Sequence, residues 1–113
     1  MDWEAFQEAH FRPHLVIVRA VDFEPQMARV MLGRWLDESF NPPGNCALTR
    51  DGQSILVAFE NDLDAKKFAT LLRATAVASE PMWATMAEGR FDRAARRRIR
   101  LHAAGLRPKR DAT

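Results

Sequence analysis

The sequence predicts an α+β protein. The arrangement expected is a ferredoxin-like sandwich, an antiparallel sheet with two helices on one face, plus an N-terminal helix and a basic C-terminal helical extension. Three observations lead there. Residues 46–50 and 54–59 are short runs of strand formers separated by Asp51 and Gly52. The second run leads directly into a capped, amphipathic helical stretch. Hairpin followed by helix is half of a split β-α-β unit.

Residues 2–11 read as a helix. Asp2 suits the cap, Glu4 lies in the first turn, and Trp3, Phe6 and Phe11 form a loose apolar stripe that Pro13 ends. Leu15, Val16, Ile17 and Val18 then make a nearly continuous apolar strand. A second helix opens between Asp22 and Pro25, since proline is tolerated where the first amides lack partners anyway. Met27, Val30, Met31, Trp35 and Leu36 give it a wide apolar face, extended by Ala28 and Leu32. It ends near Phe40, before Asn41, Pro42, Pro43 and Gly44.

The hairpin follows. Asp51 and Gly52 suit a two-residue type I′ turn. The second strand is apolar on both faces, with Ile55, Val57 and Phe59 on one and Leu56 and Ala58 on the other, which places it inside the sheet. Asn61 caps the next helix and Asp64 sits three residues on, where an acid reaches back to the cap. Ala65, Phe68, Leu71, Leu72 and Thr75 recur at helical spacing. Residues 74–78 read as a short last strand or as a frayed helix end. Ser79 and Pro81 start another helix, continued by Met82, Trp83 and Met86 and interrupted at Gly89. From Arg90 a final helical run carries Phe91, Ala94, Ala95, Ile99 and Ala103 as its apolar stripe and ends by Pro108.

Residues 54–65 resemble the third strand and second helix of the RNA-recognition motif, through Val57, Ala58 and Phe59, the acidic stretch after them, and Asp64 and Ala65. The resemblance implies a related fold. That family stacks bases on aromatic rings of the open sheet face. The matching outward positions here are Ser54 and Leu56, and the first strand adds no ring, so the resemblance does not carry RNA binding on the sheet.

The charge is divided. Residues 1–89 hold 8 basic and 13 acidic side chains, net −5, whereas residues 90–113 hold 9 basic and 2 acidic, net +7. This predicts a compact acidic α+β domain over 1–89 and an arginine-rich helical tail over 90–113. Arg90, Arg93, Arg96, Arg97, Arg98 and Arg100 are the candidate nucleic-acid-binding residues, with Arg93, Arg96, Arg97 and Arg100 on one side of a helix. Arginine suits phosphate because its planar fork bonds two oxygens at once. An acidic protein partner, or a solvated face paired to the acidic body, explains the same run.

An aliphatic sheet face does not stay bare in water. Val16, Val18, Leu56 and Ala58, together with Met82, Trp83 and Met86, are therefore the candidate interface residues for self-association or a protein partner. An enzyme is not expected. His10 and His14 are separated by Pro13, no zinc or calcium pattern is present, and none of the five glycines forms a phosphate loop. Cys46, a lone cysteine, reads as a small buried residue in a reducing, cytoplasmic setting. No cofactor and no membrane attachment are expected.

Overall fold

The computed structural model describes residues 12–40, 44–49, 51–79, 81 and 83–106. The helix predicted at residues 2–11, His10 and Met82 lie outside them. The described elements are β1 His14–Ala20, α1 Pro25–Ser39, β2 Asn45–Leu48, β3 Ser54–Phe59, α2 Asp62–Leu71, β4 Thr75–Ala76, β5 Thr85–Phe91 and α3 Arg93–Leu106. Together they make an α+β fold of one five-stranded sheet, order β2-β3-β1-β5-β4, and three helices.

β1 lies at the centre, as a strand that is apolar on both sides must. It pairs antiparallel with β3 and parallel with β5. The sheet is thus mixed, and its strand order is not that of the ferredoxin-like sandwich expected. The reason lies in the chain after α2. It first forms β4 at the sheet edge, antiparallel to β5, and then returns alongside β1 in the same direction.

The helix predicted from Pro81 through Met86 is also corrected: residues 85–91 are β5. Along β5, Ala87, Gly89 and Phe91 lie level with Val16, Val18 and Ala20 of β1, on the face beneath the helices. Two of these three inward positions are small, so the period of two leaves almost no hydrophobic trace. Gly89 is required by close approach. A Cβ there would stand 2.9 Å from the Ala74 Cβ and 3.0 Å from the Leu72 Cβ. The expected boundary between residues 89 and 90 falls inside this strand, and α3 begins at Arg93.

Two turns show how local chemistry sets the path. The β2–β3 connection is longer than the two-residue turn expected, because the outermost pairing is Thr49 N–H to Ser54 O at 2.9 Å. Asp51 is held by the Thr49 hydroxyl at 2.6 Å and the Gln53 amide at 3.0 Å, and Gly52 alone of the two turn residues takes a positive φ, +71°. These two hydrogen bonds hold the Asp51 carboxyl below its usual range. α2 ends in a Schellman motif: Ala74 N–H bonds Ala69 O at 2.8 Å and Arg73 N–H bonds Thr70 O at 3.1 Å. Arg73 sits in the left-handed region at φ 52°, where glycine is usual. That motif turns the chain into β4 and resolves residues 74–78 in favour of a strand.

The core lies between the sheet and the helices. Val16, Val18, Ile55, Val57, Phe59 and Phe91 pack against Leu32, Trp35 and Leu36 of α1, Phe68 of α2 and Ile99 of α3. Trp35 stacks on Phe68 at 5.8 Å and meets Phe40 edge-on at 5.3 Å. Val16 and Val18 are level with Val57 and Ile55 in the β1–β3 register and face the helices. They are core residues, so the expectation that they line an outward interface with Leu56 and Ala58 is overturned. The outward face instead carries Leu15 and Ile17 level with Ala58 and Leu56. Leu15 and Ala58 are buried there, while Ile17 and Leu56 are half-buried.

Left-handed backbone costs an ordinary side chain about 1 kcal/mol, which glycine avoids. Arg73→Gly is therefore expected to raise stability by about 1 kcal/mol in urea unfolding. A loss of stability would show that the Arg73 side chain contributes more than its backbone strain removes.

Candidate nucleic-acid interface

Two acidic side chains set the start of α3. Asp92 Oδ1 accepts from Ala95 N–H at 2.8 Å, and Asp22 Oδ2 accepts from Arg93 N–H at 3.1 Å across 71 residues of sequence. Val21 N–H bonds Phe91 O at 2.9 Å beside them. The β1–α1 turn is thereby joined to the β5–α3 turn. Asp22 adopts φ 71° to do this, a strained value for a residue other than glycine. Ala95 and Ile99 are buried and join the same core as the sheet. The arginine helix is thus packed along the body.

Its arginines divide by what lies beneath them. Arg98 is half-buried, and its Nε donates to Leu71 O at 2.6 Å, which satisfies a carbonyl at the end of α2. Arg93, Arg96, Arg97 and Arg100 are exposed. Their spacing makes one stripe, about 10 Å long at 1.5 Å rise per residue. Arg96 lies over the Phe23 ring at 5.8 Å, and Phe23 rests on Phe91 at 5.2 Å. These arginines, with Phe23 and Leu101, line an open recess of about 560 Å³. A second groove of similar size runs between α1 and α3, with Val30, Met31, Ala103 and Arg100 among its walls.

Arg90 stands apart. It projects from the outward face of β5, level with Arg19 of β1, beside a smaller hollow that includes Thr75 and Glu88. The six arginines expected to act together are therefore three groups: one stripe of four on α3, one side chain bonded to α2, and one on the far side of the sheet.

Electrostatics distinguish the stripe further. Among the described residues, the ion pairs are Asp62 with Lys66 at 2.7 Å and with His14 at 3.8 Å. The Lys66 contact and, more weakly, His14 hold the Asp62 carboxyl below its usual range. Among the described residues, no arginine of α3 has a carboxylate within ion-pair distance. Asp22 and Asp92 stand at its N-terminus, but their oxygens serve backbone amides.

Other candidates take clearer places. Cys46 is half-buried under α1, with Sγ 3.8 Å from Arg29 O. Burial pushes its thiol up, with Arg29 acting in the opposite sense. Among the described residues no three His, Cys, Asp or Glu side chains gather as a metal site. His14 Nδ1 lies 2.6 Å from Thr85 Oγ1. His102 is half-buried and meets Trp35 edge-on at 5.9 Å. Trp83 and Met86 are half-buried. No described helix is long and apolar enough to cross a membrane. Phe23 was missed by sequence reasoning, because an isolated aromatic in a short turn gives no periodic signal.

Comparison of the chain with protein-family models, with curated proteins and with solved structures gives no match in any of the three.

Two outcomes follow from this geometry. Arg98→Ala leaves the Leu71 carbonyl without its partner and is expected to cost about 1–2 kcal/mol in chemical denaturation, whereas Arg97→Ala stays within about 0.5 kcal/mol of the parent. Cys46, with its thiol raised, holds less thiolate at neutral pH, so iodoacetamide should modify it more slowly at pH 7.5 than it modifies free cysteine. An equal rate would contradict the buried placement.

Proposed function

We propose that this is a non-enzymatic, nucleic-acid- or ribonucleoprotein-associated protein that grips phosphates with α3. The observation that carries the reading is the unpaired stripe of Arg93, Arg96, Arg97 and Arg100. Four exposed guanidinium groups held on one side of a packed helix repel one another, and among the described residues none has a carboxylate within ion-pair distance. A polyanion relieves that repulsion and releases its own condensed counterions on binding. The forked donors match phosphate oxygens. Arg90 and Arg19 offer a second, separate contact, and Arg98 serves the fold first.

The N-terminus of α3 is not the anion site in this reading. Its amides are already taken by Asp22 and Asp92, so phosphates are held by side chains along the helix body.

The alternative, an interaction subunit that self-associates through Leu56, Ala58, Trp83 and Met86, has less support. Ala58 is buried and the other three are half-buried within the single chain, which leaves a partner little aliphatic surface to cover.

The test is a salt titration of full-length protein against a fluorescein-labelled mixed-sequence oligonucleotide. About four phosphate contacts give a slope of log K against log salt near −3 for a single strand. Replacing Arg93 and Arg97 with glutamine should reduce that slope by about 1.5 and weaken binding across all sequences alike. Affinity that does not respond to salt or to these replacements sinks the proposal.

A further inference from the structure

We infer that the recess under the arginine stripe receives an unpaired base, so that the ligand is a single strand in preference to a duplex. This rests on the reading of α3 as a phosphate-binding helix and names the class of nucleic acid it takes.

The recess contains more than charge. Phe23 forms part of its wall, and Leu101 is 68 % exposed at its edge. A helix surface that meets only duplex backbone has no use for either, because a duplex offers it phosphates and leaves its bases stacked inside. A splayed base has an apolar π-face, and such faces stack on aromatic rings and on guanidinium planes. Phe23 lies 5.2 Å from Phe91 with the rings tilted 35° to one another, and the Arg96 guanidinium stands 5.8 Å from the Phe23 centroid. A base in the recess has this guanidinium and the open part of the Phe23 ring to lie against.

Phe23 is fixed from below. Phe91 is buried in the core at the end of β5, and Asp22, next to Phe23, is tied to the first amide of α3. Phe23 is therefore presented by a braced turn and not by a free loop. The recess, at about 560 Å³, lies in the range of small-ligand sites, and among the described residues no carboxylate lines it. Arg93, Arg97 and Arg100 are left to hold the phosphates that flank the inserted nucleotide.

The experiment compares three labelled probes at one salt concentration. They are a mixed-sequence single-stranded 20-mer DNA, the same backbone without bases, and the 20-base-pair duplex. The intact single strand should bind wild-type protein roughly tenfold or more tightly than the abasic strand. It should also bind more tightly than the duplex. Phe23→Leu, which keeps an apolar contact with Phe91, should remove most of that advantage and leave the salt slope unchanged. Arg97→Gln should lower the slope and keep the advantage. If wild-type protein binds intact and abasic strands equally, or if Phe23→Leu leaves their ratio untouched, the base-stacking inference falls and the phosphate-binding reading survives. If no probe binds at low salt, the phosphate-binding reading fails and takes this inference with it.

Discussion

The parallel pairing of β5 with β1 decides where everything else lies. Because β5 runs in the same direction as β1, the two strands end on the same side of the sheet, and α1 and α3 depart from neighbouring points. Phe91, the last residue of β5, turns into the core beneath both helices. The bond from Val21 N–H to Phe91 O and the Asp22 cap on Arg93 lock this junction. Reverse β5, as an all-antiparallel sheet would, and α3 would start from the opposite end. The arginines would then be nowhere near Phe23.

The same junction explains a charge arrangement that otherwise looks contradictory. An acidic body and a basic helix attract, and close packing would be expected to pair them. Two acids at the start of α3, Asp22 and Asp92, are instead engaged by its N-terminal amides, where the helix dipole also favours them. The packing force between helix and body comes from Ala95 and Ile99, which are apolar. Burial thus holds the helix on the body without consuming its charges. The stripe of guanidinium groups stays solvated, and its mutual repulsion is tolerated because water and salt screen it.

Arg98 shows why residue type alone misleads. Its neighbours in sequence, Arg97 and Arg100, point to solvent. Arg98 falls on the side of the helix that meets the end of α2, where the Leu71 carbonyl lacks an intrahelical partner. One position along the helix turns the side chain by about 100° and takes it from solvent to the end of α2.

Much was legible beforehand. β1 and β3 follow from short continuous apolar runs, and α1 and α2 from the period of 3.6 and the Asn61 cap, all of which act within a few residues. The order of the arginines along α3 is equally local, since any helix sets positions 93, 96, 97 and 100 on one side. β5 was not legible. Ala87 and Gly89 carry no hydrophobic mark at its inward positions, and glycine suggested a break where close approach to Leu72 and Ala74 was the cause. Nor did the Arg73 left-handed turn announce itself, because no glycine marks it. Strand identity at residues 85–91, the faces of Val16 and Val18, and the meeting of Phe23 with Arg96 all rest on hydrogen bonds and contacts between segments some 70 residues apart. Local propensity is written in the chain. Which edge of β1 a distant segment takes, and in which direction, is decided by burial and pairing of the whole sheet at once.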